Sequence, residues 1–350
     1  MRDYDKICDF NNLYKAHMSA RHNKRDKRDV IQFEMHLSEN LVRISRELKN
    51  KTYRMSGYYS FTIYEPKERL IYAANYIDRV VLHCVCDEVL SERLGKKLIY
   101  DNAACQKGKG THFALDRFSK FLSEHYKAHG LEGYILKCDV RKYFASIDHE
   151  VLKVLLRKAV KDSDLLQLLY HYIDSYETEG KPGKGLPLGN QSSQWFAIYY
   201  LNPLDRLIKE KLGIKYYIRY MDDLVIIHHD KEYLKFCLSQ MTNLLESELK
   251  LEFNEKTQIK SIKKSVTFLG WNFSLSKTGK VSRRLKTQSK VRFKRKIRKL
   301  KKDYECGAID LADVKNSIAS YKGHLKHGNT YFLRKKVFDS FVLRRKIDDK

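Results

Sequence analysis

Hydrophobic and polar positions divide this chain into helical and strand-like stretches. Over residues 30–48 apolar side chains recur at helical spacing (Phe33, Leu37, Leu41, Ile44, Leu48), which predicts a packed helix with a solvated face. Residues 1–57 as a whole read as a basic helical extension. The pattern then changes. Tyr58-Tyr59-Ser60-Phe61-Thr62-Ile63-Tyr64 predicts a strand, Glu65-Pro66-Lys67-Glu68-Arg69 a turn, and Leu70-Ile71-Tyr72 a returning strand, followed by a helix over residues 80–90. Tyr134-Ile135-Leu136-Lys137-Cys138-Asp139-Val140 predicts a strand ending in a carboxylate. A turn over residues 141–144 leads to a helix over 151–160 with Asp148 as its N-cap. Helical periodicity returns over 192–201, Pro203 is expected to break it, and further helical patterns cover 204–212 and 231–245. Residues 266–273 predict one strand, with Lys277-Thr278-Gly279-Lys280 as its hairpin turn.

The sharpest pattern lies at Ile218-Arg219-Tyr220-Met221-Asp222-Asp223-Leu224-Val225-Ile226-Ile227. Apolar and β-branched residues run up to two adjacent carboxylates and away again, which predicts a β-hairpin with the aspartates in its turn. Neighbouring carboxylates at a hairpin tip repel each other. A polar turn accounts for them, since Asp is a common turn residue, and so does a pair of Mg²⁺ ions bridging carboxylates to substrate phosphates. Asp139, at another strand end, supplies a third carboxylate for the second reading.

Composition narrows the partners. The chain has 350 residues, 43% of them hydrophobic and 32% charged, with no apolar run long enough for a membrane span. Its seven cysteines contain no Cys-x-x-Cys, so neither a zinc site nor a disulfide framework is expected, and a reduced, cytoplasmic setting fits. The formal net charge is +26, a field that recruits polyanions, and the 24 tyrosines offer rings that stack on bases. Over residues 281–350 there are 22 Lys/Arg against 7 Asp/Glu, with Phe293, Ile297, Leu300 and Tyr304 at helical spacing, so this part reads as a basic helical domain. Lys107-Gly108-Lys109-Gly110 reads either as a template-backbone contact or as a flexible basic loop. The Gly- and Pro-rich stretch over 180–190 allows close approach of a nucleotide or simply caps the helix after it.

The order of four motifs resembles that of reverse transcriptases: Asp139-x4-Phe144, Leu186-Pro187-x-Gly189, Tyr220-Met221-Asp222-Asp223 and Phe268-Leu269-Gly270-Trp271. The match covers roughly residues 58–273. It implies an α+β right hand, with fingers and an antiparallel palm over 58–280 and a helical thumb over 281–350. The implied activity is RNA-templated DNA synthesis by two-metal nucleotidyl transfer from dNTPs, with Mg²⁺ as cofactor and Mn²⁺ as a substitute. Asp139, Asp222 and Asp223 then fall on the metal-binding and catalytic positions, with Val140 beside them in the metal set. Lys256 falls on a lysine that protonates the leaving pyrophosphate or neutralises charge near it. Lys67, Arg69, Phe144, Leu188, Gly189 and Gln194 fall on the nucleotide side, and Phe144 argues for dNTPs over rNTPs. Lys107, Lys109, Tyr220 and Met221 are expected on the template and primer. Leu269, Gly270 and Trp271 form the primer grip, while Arg283, Arg284, Lys294 and Arg298 grip the RNA/DNA duplex.

Leu188 before Gly189, with Ser193-Gln194 after it, is similar to the enzymes of diversity-generating retroelements, as are Asn102-Ala103-Ala104-Cys105-Gln106 and Leu201-Asn202-Pro203-Leu204-Asp205. That resemblance implies error-prone copying and a small basic accessory variability protein, in a bacterial or phage-encoded system. Phage-defence and other retroelement enzymes share parts of the pattern. A rival from another class is an RNA-binding protein that keeps the fold without catalysis.

Overall fold

The computed structural model describes residues 2–64 and 67–344, so Glu65 and Pro66 of the turn expected over 65–69 lie outside the described residues, and Arg69, its last expected residue, already opens a strand. The chain forms two compact units, one from residues 1–110, 138–224 and 235–257, the other from 111–137, 225–234 and 258–350. Among the described residues the strands are β1 (Tyr58–Ile63), β2 (Arg69–Ala74), β3 (Tyr134–Cys138), β4 (Tyr216–Tyr220), β5 (Asp223–His228), β6 (Gln258–Ser261), β7 (Val266–Phe268), β8 (Trp271–Leu275) and β9 (Val281–Leu285). The architecture is mixed helix and antiparallel sheet, as expected.

In the first unit the N-terminal segment forms helices Asp3–Cys8, Phe10–Ala20, Arg28–Met35 and Leu37–Lys49. The single helix expected over 30–48 is two. The chain leaves helical dihedrals at His36 (φ −125°, ψ 39°), and the Asn40 amide donates to the Phe33 carbonyl (3.1 Å) across the break. Val30, Phe33, Leu41, Ile44 and Leu48 are all buried. Strands β1 and β2 form an antiparallel arm in which Tyr58 faces Ala74 and Ile63 faces Arg69. Helix Gln191–Tyr200 buries all but its two glutamines, so it is a core element and not an amphipathic surface helix. It stops at Leu201, and Pro203 sits in the first turn of helix Asn202–Arg206, where its missing N–H leaves no bond unmade. Asp148 caps helix His149–Ala159 by accepting from the Val151 N–H (3.1 Å).

In the second unit β3 pairs antiparallel with β6, a strand the sequence pattern did not announce. Residues 266–273 are not one strand. Leu269 (φ 47°) and Gly270 (φ 82°) are both left-handed, the requirement of a two-residue type I′ turn, and β7 folds back on β8. The turn expected at Lys277-Thr278-Gly279-Lys280 is present: the Gly279 N–H donates to the Ser276 carbonyl (3.0 Å) between β8 and β9. The first residues of the basic segment, Val281–Leu285, are therefore strand, and its helices are Thr287–Glu305, Leu311–Lys326 and Tyr331–Phe338. These pack around Phe293, Ile297 and Leu325. Among the described residues no helix is long and apolar enough to cross a membrane.

Candidate active site

The stem of the β4–β5 hairpin is core: Tyr217, Ile218 and residues 224–227 are at most 1% exposed. Burial on both faces fixes the register of the stem, and the tip emerges half-exposed with Tyr220, Met221, Asp222 and Asp223. Met221 takes a left-handed conformation (φ 55°), Asp222 completes the turn and Asp223 opens β5. Asp139 stands just past β3 on a segment pinned from its side. Val140 bridges Phe253, the Arg141 N–H donates to the Glu252 carbonyl (2.9 Å), and the Asn254 N–H donates to the Asp139 carbonyl (2.7 Å). The Asn254 side-chain amide also reaches the Asp139 carboxylate at 3.5 Å.

These carboxylates share one field. Burial, then Asp139, and then Asp223 push the Asp222 carboxyl up to about 6, while the Arg69 guanidinium pulls the other way. The Arg69 charge is thus near enough to act on the Asp222 carboxylate. Among the described residues no three acidic, histidine or cysteine side chains are gathered tightly enough to hold a metal ion. The chemistry of the donor set nevertheless suits a hard divalent cation, because the donors are carboxylate oxygens whose mutual repulsion a cation relieves. Val140 is 2% exposed, and its backbone carbonyl is the one oxygen donor it could offer such an ion.

The nucleotide-side residues fall in the same unit. Residues 143–146 form a short helix where a turn was expected, entered through Lys142 in a left-handed conformation (φ 46°). Phe144 is half-buried, and its carbonyl accepts from the Leu186 N–H (2.9 Å). The loop beyond runs along β2: the Tyr72 N–H donates to the Leu188 carbonyl (2.8 Å) and the Ala74 N–H to the Asn190 side chain (3.0 Å). A Cβ on Gly189 would stand 2.9 Å from an Ile71 methyl and 3.0 Å from the Tyr72 carbonyl oxygen, at φ 130°. The close approach this glycine permits here is to β2. Gln194 is exposed and accepts from the Cys105 thiol (3.2 Å), and Lys67 and Arg69 are exposed. Lys256, also exposed, follows the Asn254 that holds Asp139, and its own N–H donates to the Asn254 side chain (3.1 Å). A cavity of about 540 Å³ is lined by Arg141, Lys142, Lys181, Lys184 and Lys250 together with Ser146 and Glu252.

Three expected nucleic-acid contacts have other uses. The Lys109 ammonium donates to the carbonyls of Tyr100 (2.8 Å) and Asn102 (3.2 Å) and to the Gln106 side chain (3.1 Å), which engages all three of its protons and stitches the glycine loop. Lys107 remains exposed. In the second unit Trp271 is fully buried, so of the Leu269-Gly270-Trp271 set only the turn is accessible. Arg283 is tied to Asp116 (2.8 Å) and its backbone N–H to the Asn329 side chain (2.7 Å), whereas Arg284 and Arg298 are exposed and Lys294 half-exposed. Asn254 was missed by sequence reasoning, as was a buried pair beneath the hairpin, Arg219 and Asp205, both 0% exposed. The signal for the pair was there: a charged residue inside an apolar strand needs a partner.

The chain is 22% identical over 251 aligned residues to a protein of Saccharomyces cerevisiae named for intron 2 of COX1/OXI3, covering 53% of this chain and 29% of that protein. It thus spans less than a third of that relative. Telomerase of Candida tropicalis, truncated from its C-terminal domain, superposes with a TM-score of 0.52 at 15% identity, covering 65% of this chain and 55% of that one. Telomerase of Candida albicans, solved with a TWJ fragment of telomeric RNA, gives 0.52 at 12% identity over 84% and 57%. Such likeness speaks for the fold alone. The family model described as reverse transcriptase (RNA-dependent DNA polymerase) matches residues 65–273, more than half of the chain and all four motifs, and the chain belongs to that family.

Proposed function

We propose that this chain copies an RNA template into DNA, adding dNTPs to a primer 3′-hydroxyl. The observation that carries the reading is Asp222 and Asp223 at the tip of the β4–β5 hairpin, with Asp139, just past β3, and Arg69 both near enough to act on the Asp222 carboxylate. Divalent cations, Mg²⁺ first and Mn²⁺ as a substitute, would lower the pKa of the attacking hydroxyl and neutralise the pyrophosphate as it leaves. Asp139, Asp222 and Asp223 would hold them, with the Val140 carbonyl. The rest is positioning and charge neutralisation. Arg69 and Lys67 meet the triphosphate from the β1–β2 arm. Lys256 delivers a proton, or only charge, to the pyrophosphate. Phe144 fills the space a ribose 2′-hydroxyl would need. Template RNA and the RNA/DNA duplex are the macromolecular partners, consistent with the +26 net charge.

The finer reading is error-prone copying within a diversity-generating retroelement, supported by half-buried Leu188, an aliphatic residue that removes a polar contact to the nucleotide. An accessory variability protein belongs to that reading. A second reading, an enzyme carried by another retroelement, is favoured by the likeness to an intron protein. Primer extension on an RNA template with Mg²⁺, with dNTPs against rNTPs and wild type against Asp222→Asn, tests the activity. Product that depends on template, dNTPs and Asp222 supports it. Errors concentrated opposite template adenines, reduced by Leu188→Gln, support the diversity-generating reading, and faithful product favours the second. Specific RNA binding without extension in any condition would leave the non-catalytic RNA-binding protein.

A further inference from the structure

Two of the sequence motifs, Asn102-Ala103-Ala104 and the Asp205 segment, have no role in the chemistry above, and both converge on Arg219. Its side chain is fully buried in strand β4, two residues before the turn. Nε donates to Asp205 Oδ1 (2.7 Å), and Nη2 donates to Asp205 Oδ2 and to the Ile198 carbonyl (2.9 Å). Nη1 donates to the Met221 carbonyl (2.9 Å). The Tyr217 hydroxyl gives Asp205 a further bond (2.6 Å), which leaves little freedom to the carboxylate that aims the guanidinium. The backbone is held as firmly: the Arg219 N–H donates to the Asp101 carbonyl (3.1 Å), and the Ala103 N–H donates to the Arg219 carbonyl (2.9 Å).

The bond to Met221 is the one that matters for chemistry. Met221 is left-handed without being glycine, a conformation that persists when its surroundings over-determine it. Its carbonyl belongs to the peptide that leads into Asp222. A planar fork of fixed N–H directions can hold a carbonyl and a carboxylate at once, which a single ammonium cannot. We propose that Arg219 is a positioning residue: its guanidinium fixes the Met221 carbonyl and so sets the direction in which the Asp222 carboxylate leaves the turn. Asp205 and Tyr217 aim the guanidinium, and helix Gln191–Tyr200 contributes the Ile198 carbonyl. The inference rests on the polymerase reading of Asp222.

The test uses the full chain in two forms. Arg219→Lys keeps the charge opposite Asp205 but not the fork. A triple variant, Asp205→Leu with Tyr217→Phe and Arg219→Met, replaces the buried polar group by apolar side chains, an exchange that buried ion pairs often tolerate. Leu13→Ala, in a buried position of helix Phe10–Ala20, is the control for lost stability alone. We expect kcat for primer extension to fall on the order of 10²-fold in the variants, with the dNTP KM and RNA affinity within about twofold of wild type. Mn²⁺ affinity, read by electron paramagnetic resonance of the free ion, should fall about tenfold, and Leu13→Ala should change neither. Folded variants with wild-type kcat and Mn²⁺ affinity would overturn the proposal. So would failure of both variants to give a cooperative melt, since Arg219 would then act on folding and not on placement. If wild type extends no primer, the polymerase reading fails by itself, and the Mn²⁺ comparison still decides whether Arg219 places Asp222.

Discussion

Asp222 holds a proton more tightly than an ordinary aspartate, and this has consequences with and without metal. Its carboxyl is pushed up to about 6 by burial and by Asp139 and Asp223. A folded chain in which that carboxyl titrates high keeps a proton that the unfolded chain has released between about pH 4 and 6. The metal-free protein therefore loses stability as pH rises through that window, by about 3 kcal/mol for a shift of about two units. Asp222→Asn removes the titration. In the presence of chelator the two proteins should have similar urea midpoints at pH 4, and the variant should be the more stable at pH 7.5. Equal differences at both pH values would mean that the Asp222 carboxyl is not pushed up in the folded chain. Addition of Mg²⁺ at pH 7.5 should raise the wild-type midpoint and not the variant's. The same substitution should lower primer extension at least 10³-fold while RNA affinity measured by filter binding stays within about twofold, since it removes one ligand and almost no surface.

At the scale of elements, the loop between helix Ser163–Asp174 and helix Gln191–Tyr200 behaves as a strap on β2. Gly189→Ala would force a Cβ against Ile71 and the Tyr72 carbonyl at a backbone angle that L residues avoid, a strain of order 1–3 kcal/mol. The strap should lift and take Leu188 with it, raising the dNTP KM about tenfold with a smaller change in kcat, as steady-state kinetics would read. An unchanged KM would separate the strap from the nucleotide. The hairpin of Asp222 was legible because both of its runs are apolar and its turn is charged. The β7–β8 hairpin was not, since Leu269 occupies a left-handed turn position that sequence pattern assigns to Gly or Asn, and the apolar run continues through it. Strand β6, Gln-Ile-Lys-Ser, is too polar to announce itself; it exists because β3 offers it an edge. The break at His36 is silent for a related reason. Helical spacing continues across it, and the non-helical backbone at His36 is what tells two helices from one. Arg219 was visible as a charge in an apolar strand, but its partner lies 14 residues earlier, and pairing across that distance is a property of the fold.

Over the whole molecule the dominant quantity is charge, and most of the excess resides in residues 281–350, with 22 Lys/Arg against 7 Asp/Glu in a chain of net +26. Helix Thr287–Glu305 turns Phe293 and Ile297 into the core of the second unit and leaves Arg298 exposed, with Lys294 at the margin beside Lys301 and Lys336. A cation acts on a polyanion through the counterions it displaces, so its signature is a salt dependence more than an affinity at one salt. Replacing Lys294 and Arg298 by Gln should weaken RNA/DNA duplex binding uniformly across sequences. It should also reduce the slope of log K against log salt by about one unit per lost phosphate contact. Arg283 is a different case. Its guanidinium is committed to Asp116 and its side chain is 15% exposed, so Arg283→Gln should lower the melting temperature and leave the salt slope near that of wild type. Fluorescence anisotropy of a labelled duplex between roughly 50 and 300 mM salt separates the two outcomes. A slope that falls as much for Arg283→Gln as for the Lys294 and Arg298 variants would show that Arg283 leaves Asp116 for a phosphate when the duplex arrives. An unchanged slope in all of them would move the duplex off this helix and toward other basic surfaces of the chain.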